Sequence, residues 1–131
     1  MLATILFACL SNLLVSNTHQ IKLNVTGLKS NNGMVMVQLM DEQKKVVKQL
    51  AITIQNLRAE YVFADIPSGK YSIRLFHDEN NNRKMDTNLM GIPKEGYGFS
   101  NNAKGTFGPP AYEKTLFDCD TNKTLEIQLT Y

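Results

Sequence analysis

The sequence has little of what disulfide-stapled domains and hydrolases need. Its 131 residues include no tryptophan, two cysteines and two histidines. If the first 19 residues are a leader, as argued below, Cys119 is the only cysteine left and cannot form an internal disulfide. The fold then depends on its apolar core, in which Cys119 is expected as a small buried residue. His77 is likewise the only remaining histidine, so any Ser–His–Asp or Cys–His site requires it.

Catalytic motifs and concentrated charge are also missing from the sequence. It contains no Gly-x-Ser-x-Gly elbow, phosphate-binding loop or dinucleotide fingerprint, and we therefore predict that the protein is not an enzyme. Its 14 basic and 12 acidic residues are interspersed, without the basic stripe that is typical of nucleic-acid binding. Nucleic acid is therefore excluded as a partner.

Residues 1–19 are predicted to be a signal peptide or N-terminal leader. Met1 to Ser16 carries no charge and is largely apolar, with the length of a signal peptide. It falls short of the roughly 20 apolar residues that a membrane-crossing helix needs. We therefore expect an exported protein, periplasmic or extracellular, with no transmembrane span in the mature chain. A lipid anchor through Cys9 is the weaker alternative, because apolar residues continue after this cysteine.

Residues 20–131 are predicted to form one domain built from β-strands. Apolar and polar residues alternate in several segments, which is the pattern of strands with one buried face: 21–26, 50–55, 71–75 and 124–131. Met34 to Met40 is apolar on both faces, which predicts a central strand. About seven strands and no convincing helix predict an all-β antiparallel β-sandwich, transthyretin-like or immunoglobulin-like.

One long inserted loop, residues 78–111, interrupts this pattern. It has no alternation and is rich in Asn, Gly and Pro. Loops of this length in a compact domain are usually functional or disordered. The apolar side chains of this loop predict that it packs onto the sandwich; they are Met90, Ile92, Tyr97, Phe99 and Phe107.

Two motifs resemble known families. The segment from Phe63 to Ile73, with Pro67, Gly69 and Tyr71, is similar to the strand–turn–strand of transthyretin-like and carboxypeptidase-regulatory-like sandwiches. In those folds Phe and Tyr fill the core across a Pro-Gly turn. The loop motifs are His77 to Asn88, Gly91 to Ala103 and Phe107-Gly108-Pro109-Pro110. They look like the bacterial family of domains of unknown function 2141, with a similarity that covers residues 21–131. The resemblance implies an exported bacterial protein and supplies no catalytic residues.

The first half of the loop has the spacing of a calcium loop. Side-chain oxygens of Asp78, Asn80, Asn82 and Asp86 fall at positions 1, 3, 5 and 9, and the carbonyl of Lys84 at position 7. Hard oxygen ligands suit Ca²⁺ better than Zn²⁺. The pattern lacks the usual Gly at position 6 and the bidentate Glu at position 12, so only weak binding is predicted. The alternative is an ion-free turn held by side-chain to backbone hydrogen bonds.

The second half of the loop mixes aromatic and small polar residues. Tyr97, Phe99, Asn101 and Asn102 are predicted to form a surface that contacts a sugar or peptide. The alternative is that the two aromatic side chains fix the loop to the core.

Three functions follow from these features. The first is an exported, monomeric binding or accessory module whose loop, ordered by Ca²⁺, contacts an extracytoplasmic protein or glycan. The second is a purely structural envelope domain with an ion-free loop. The third is a hydrolase centred on His77, Asp78 and Glu95, which requires an exposed His77 close to a carboxylate.

Overall fold

The computed structural model describes residues 17–131 and confirms the predicted β-sandwich. Most of the predicted leader, including Cys9, lies outside the described residues. The first strand begins at Thr18, so His19, which the sequence places in the leader, pairs with Ile66 inside a sheet. None of the helices within residues 17–131 has the length and apolarity that crossing a lipid bilayer takes.

Residues 17–131 contain eight strands, close to the seven predicted. They are β1 (Thr18–Thr26), β2 (Met34–Asp41), β3 (Val46–Thr53), β4 (Ala59–Pro67), β5 (Gly69–Asp78), β6 (Tyr97–Phe99), β7 (Phe117–Cys119) and β8 (Lys123–Gln128). A 3₁₀ helix, Ser100–Asn102, follows β6, and a single helical turn, α1 (Tyr112–Thr115), precedes β7.

The strands form two sheets that face each other. The smaller sheet has the order β4-β1-β8, and the larger has the order β3-β2-β5-β6 with β7 also paired to β5. All pairings are antiparallel except that of β1 with β8, which is parallel. As predicted from its two apolar faces, β2 is a central strand, since β3 and β5 flank it on either side.

The core lies between the two sheets and follows the predicted alternation. Every second side chain of the inner strands is buried; the fully buried ones include Ile21, Leu23, Val35, Leu39, Phe63, Ile73 and Ile127. Cys119 is buried in β7, as expected. The Pro67-Ser68-Gly69 turn carries the chain from β4 in one sheet to β5 in the other. The Tyr71 hydroxyl donates a hydrogen bond to the Pro67 carbonyl at 2.6 Å and fixes this turn.

The outer face of β5 is partly covered by the chain that follows β6. Ser72 is buried on this face, and its hydroxyl lies 2.7 Å from that of Thr115 in α1. Ser100 accepts a hydrogen bond from Ile73 N–H at 3.0 Å and donates one to the Thr115 carbonyl. The predicted long loop therefore contains a short strand and a 3₁₀ helix that fix its second half to the larger sheet.

Candidate functional site

The long loop folds on itself between β5 and β6. Residues 86–94 form a small hairpin, in which Lys94 N–H donates to the Asp86 carbonyl at 2.7 Å and Asn88 N–H to the Ile92 carbonyl at 2.8 Å. The Asn88 side chain accepts hydrogen bonds from the N–H groups of Met90 and Ile92 at its tip. The tip side chains Leu89 and Met90 are exposed rather than packed on the sandwich. Ile92 and Phe107 are exposed as well, so the predicted packing onto the sandwich is wrong for Met90, Ile92 and Phe107.

The predicted calcium residues do come together, through direct hydrogen bonds. Asp78, buried at the end of β5, accepts bonds from Asn82 N–H at 3.2 Å and Arg83 N–H at 2.8 Å. Asn82 N–H also lies 3.3 Å from Asn80 Oδ1, and Lys84 N–H donates to Asn82 Oδ1 at 2.9 Å. These are the Asx-type turns that Asn and Asp form with the backbone two or more residues ahead.

Asp86 closes the ring of polar side chains from the other side. Its two carboxylate oxygens each accept a hydrogen bond at 2.7 Å, one from the Asn80 amide and one from the Asn82 amide. The amide of Asn82, and next that of Asn80, lowers the pKa of Asp86 below its ordinary value, because both hydrogen bonds favour the ionised form. The amide nitrogens, not the amide oxygens, thus face this carboxylate.

Glu95 joins the start of the loop to the hairpin. This side chain is 5% exposed, and its carboxylate accepts Glu79 N–H at 2.8 Å and Asp86 N–H at 3.0 Å. All six carboxylate oxygens of Asp78, Asp86 and Glu95 therefore accept a hydrogen bond from the loop. Within residues 17–131, no group of three or more His, Cys, Asp or Glu side chains is arranged to hold a metal ion.

His77 is enclosed and has no exposed surface. Its Nε2 donates to the Asn32 carbonyl, 2.5 Å away, and its Nδ1 lies 2.9 Å from the Tyr131 hydroxyl and 3.5 Å from Glu79 Oε1. That hydroxyl also accepts Lys29 N–H at 3.1 Å, and burial raises the pKa of Tyr131. A hydrolase centred on His77 requires an exposed imidazole, and this imidazole instead joins the C-terminus to the turn before β2.

The outer face of the larger sheet carries a groove of about 810 Å³. Its floor consists of the outward side chains of neighbouring strands, placed opposite one another by the register: Met36 of β2 faces Phe76 of β5, and Phe76 faces Tyr97 of β6. In the next row Gln38 faces Arg74, and Arg74 faces Phe99. The groove thus lies on the face of the sheet opposite to the core.

Two loop segments form the walls of the groove. The first runs from Arg83 through Met85 to the hairpin residues 90–93, and the second is residues 105–109, with Phe107. Phe107 is 101% exposed and Met90 is 85% exposed, although each lines the same cavity. Apolar surface of this kind, gathered in one concave site, is typical of binding sites rather than of ordinary protein surface.

The four residues of the predicted partner surface lie in two different places. Tyr97 and Phe99 are half-buried and line the groove, with ring centroids 6.2 Å apart. The Asn101 amide instead donates to the carbonyls of Lys114 and Leu116, and Asn102 bonds to Glu126 and Gln128 of β8. Both asparagines adopt positive φ, 62° and 48°, so they form the turn that holds β6 in place.

Sequence reasoning missed most of the groove residues. The sequence predicts a strand that contains Met36 and another that contains Arg74, but it does not predict that these side chains share a site. The available signal was the second apolar face of β2, because Met34, Met36 and Met40 exceed what a strand exposed on one side needs. No local pattern places residues 85–93 and 105–109 over that face.

Comparison with known proteins matches the chain to one family. The family model described as uncharacterized protein conserved in bacteria (DUF2141) matches residues 23–128. This range includes the loop, the groove and both sheets. No curated protein matches the chain.

Proposed function

We propose that this chain, which belongs to the bacterial DUF2141 family, is an exported, non-catalytic binding module that uses the groove as its recognition site. The observation that carries the proposal is the groove itself. Its volume of about 810 Å³ falls within the roughly 300–1,000 Å³ of small-molecule sites. Its apolar floor and walls would give an apolar ligand most of its binding free energy.

Two further observations support the proposal. The enclosed position of His77 leaves no exposed histidine beside the groove in residues 17–131 to serve as a general base. The uncharged apolar segment before residue 17 supports export, which would place the groove in the periplasm or outside the cell. An extracytoplasmic protein or glycan is the broader class of partner that the aromatic residues Tyr97 and Phe99 suit.

Truncating one wall of the groove is expected to weaken binding without affecting the fold. Phe107→Ser removes a fully exposed side chain, so the free energy of unfolding should change by less than about 0.5 kcal/mol. The dissociation constant of a neutral apolar dye, N-phenyl-1-naphthylamine, should rise roughly tenfold, since burying a Phe side chain contributes about 1.5–3 kcal/mol. Fluorescence titration measures the constant, and urea unfolding measures the stability.

Leu57→Ser is the matched control for this variant. Leu57 is also an exposed apolar side chain, 45% exposed, but it lies in the β3–β4 turn and does not line the groove. The control should bind the dye as the wild type does. If the wild-type protein bound no dye, or if the two variants lost dye affinity equally, the groove would not be the binding site. Either result would favour the purely structural envelope domain.

We also propose that the loop is ordered by its own hydrogen bonds, with a weak calcium site as the alternative. The proposal rests on the six bonded carboxylate oxygens of Asp78, Asp86 and Glu95. A bound cation would need the Asn80 and Asn82 amides to turn their oxygens inward and give up their bonds to Asp86. The spacing of Asp78, Asn80, Asn82, the Lys84 carbonyl and Asp86 is what supports the alternative.

Calcium is accordingly expected to leave the melting temperature unchanged. The comparison is thermal unfolding in roughly 10 mM CaCl₂ and in EDTA. If the loop held Ca²⁺ with a Kd of about 10⁻⁴ M, this concentration would stabilise the folded state by about 2.7 kcal/mol. That is a rise of several degrees. Such a rise in the wild type, absent from Asp86→Ala, would overturn the ion-free loop and assign the ion to these residues.

A further inference from the structure

The register of the larger sheet divides the groove floor into an apolar row and a second row, Gln38, Arg74 and Phe99, which contains one cation. Met36, Phe76 and Tyr97 stand side by side across β2, β5 and β6. Two residues further along β2 and β5, Gln38 and Arg74 stand opposite each other. Arg74 is the next outward residue to Phe76 on β5, so a ligand on this floor meets apolar side chains over the first row and a cation beside the middle of that row.

Arg74 is oriented by a short chain of hydrogen bonds. Its Nε donates to Gln38 Oε1 at 2.5 Å, and the Gln38 amide donates to Gln49 Oε1 at 2.8 Å. This chain fixes the plane of the guanidinium. Its two terminal nitrogens have no hydrogen-bond or ion-pair partner among residues 17–131, and they are the fork that binds a carboxylate through two parallel hydrogen bonds.

The charge of the groove has one sign. Its charged lining residues are Arg74 and Arg83, and no Asp or Glu of residues 17–131 lines it. Neither arginine forms an ion pair within this part of the chain. An anionic group beside Arg74 would therefore complement the positive charge of the groove.

The apolar row favours an aliphatic chain over a peptide. At Met36 and Phe76 the floor is a sheet face, since β2 is paired on both sides by β3 and β5, so no strand edge is open at these two residues for main-chain hydrogen bonds. Peptide amides over Met36 and Phe76 would lose water without finding partners. An alkyl chain has no polar groups to satisfy. The flexible side chains of Met36, Met85 and Met90 can adjust to its shape.

We infer that the groove binds a long-chain aliphatic carboxylate, a free fatty acid. Its carboxylate lies on Arg74, and its chain lies across the apolar row next to Arg74, beginning over Phe76. The inference rests on the proposed function, because it names the ligand class of the same groove.

The test is displacement of the neutral dye by dodecanoate and by 1-dodecanol, which has the same chain without the charge. The wild type should bind dodecanoate roughly tenfold more tightly than dodecanol, the contribution of a hydrogen bond to a charged group. Arg74→Gln should abolish this preference while leaving dodecanol binding unchanged. Arg74→Lys should retain part of it, since the charge remains but the fork is lost. High salt should reduce the preference in the wild type.

Arg58→Gln is the control, because Arg58 is an exposed arginine outside the groove. It should behave as the wild type does. If the wild type bound the dye without preferring dodecanoate, the fatty acid would be wrong as the ligand, but the groove would remain a binding site. If the wild type did not bind the dye, the groove would not be a binding site. A preference that survives Arg74→Gln would overturn the role of Arg74. Displacement by an acidic apolar peptide but not by dodecanoate would overturn the aliphatic ligand.

Discussion

Replacing Gly33 with alanine is expected to destabilise the protein by about 2–5 kcal/mol. Gly33 has φ +71°, a conformation that costs an L-residue about 1–2 kcal/mol. A Cβ on Gly33 would also lie 1.9 Å from the carbonyl oxygen of Asp78. Because the clash is with backbone, β2 or the end of β5 must move, which adds about 1–3 kcal/mol. Urea unfolding followed by circular dichroism measures the loss.

Gly91 provides a matched control for the Gly33 variant. It has nearly the same φ, +78°, but nothing lies within 4 Å of the position that its Cβ would occupy. Gly91→Ala should therefore show only the backbone cost of about 1–2 kcal/mol, confined to the hairpin tip. Equal destabilisation by the two variants would mean that the close approach of Gly33 to Asp78 has no energetic weight.

Replacing Glu95 with alanine is expected to release the loop and weaken the groove together. The change leaves Glu79 N–H and Asp86 N–H without an acceptor. Both hydrogen bonds are only partly buried, and the loss of each costs about 0.5–1.5 kcal/mol. Since residues 90–93 wall the groove, a hairpin that is no longer held at Asp86 should also bind the dye more weakly. We expect the Glu95→Ala variant to bind the dye at least tenfold more weakly than the wild type does, which corresponds to about 1.4 kcal/mol.

Two measurements distinguish local release from global unfolding. Hydrogen exchange should show faster exchange at Glu79 and Asp86, while the amides of β2 remain protected up to the global free energy of unfolding. Glu60→Ala, which removes an exposed carboxylate from β4, should change neither exchange nor dye binding. If Glu95→Ala left both amides protected and the dye affinity intact, Glu95 would not be the residue that anchors the loop.

The sandwich was predictable because strand periodicity is a local property of the chain. The alternation around Ile21 and Leu23 predicts a strand with one buried face, and the structure buries both residues. The turn residues Pro67 and Gly69 predict a turn between two strands, and β4 ends and β5 begins there. Such signals depend on neighbours two to four residues apart, so the sequence carries them without knowledge of the fold.

The oxygen-rich half of the loop was also visible in the sequence, but its bonding was not. The spacing of Asp78, Asn80, Asn82 and Asp86 predicts that their side chains converge, and they do. Whether the amides turn oxygen or nitrogen toward Asp86 depends on what stands opposite them. Glu95, nine residues beyond Asp86, supplies both acceptors that join the loop to the hairpin, and no periodicity selects it among the acidic residues.

The strands and the groove therefore have different origins. The amino-acid sequence determines the strands, the turns and the presence of a long Asn-rich loop, because these follow from side-chain alternation and backbone preference. The groove depends on strand register and on contacts between distant segments: Met36, Phe76 and Tyr97 become neighbours only when β2, β5 and β6 pair. Phe107 joins them only because the chain after the 3₁₀ helix returns across the same face. Tertiary structure alone turns a row of strand residues and two loop segments into one concave apolar site.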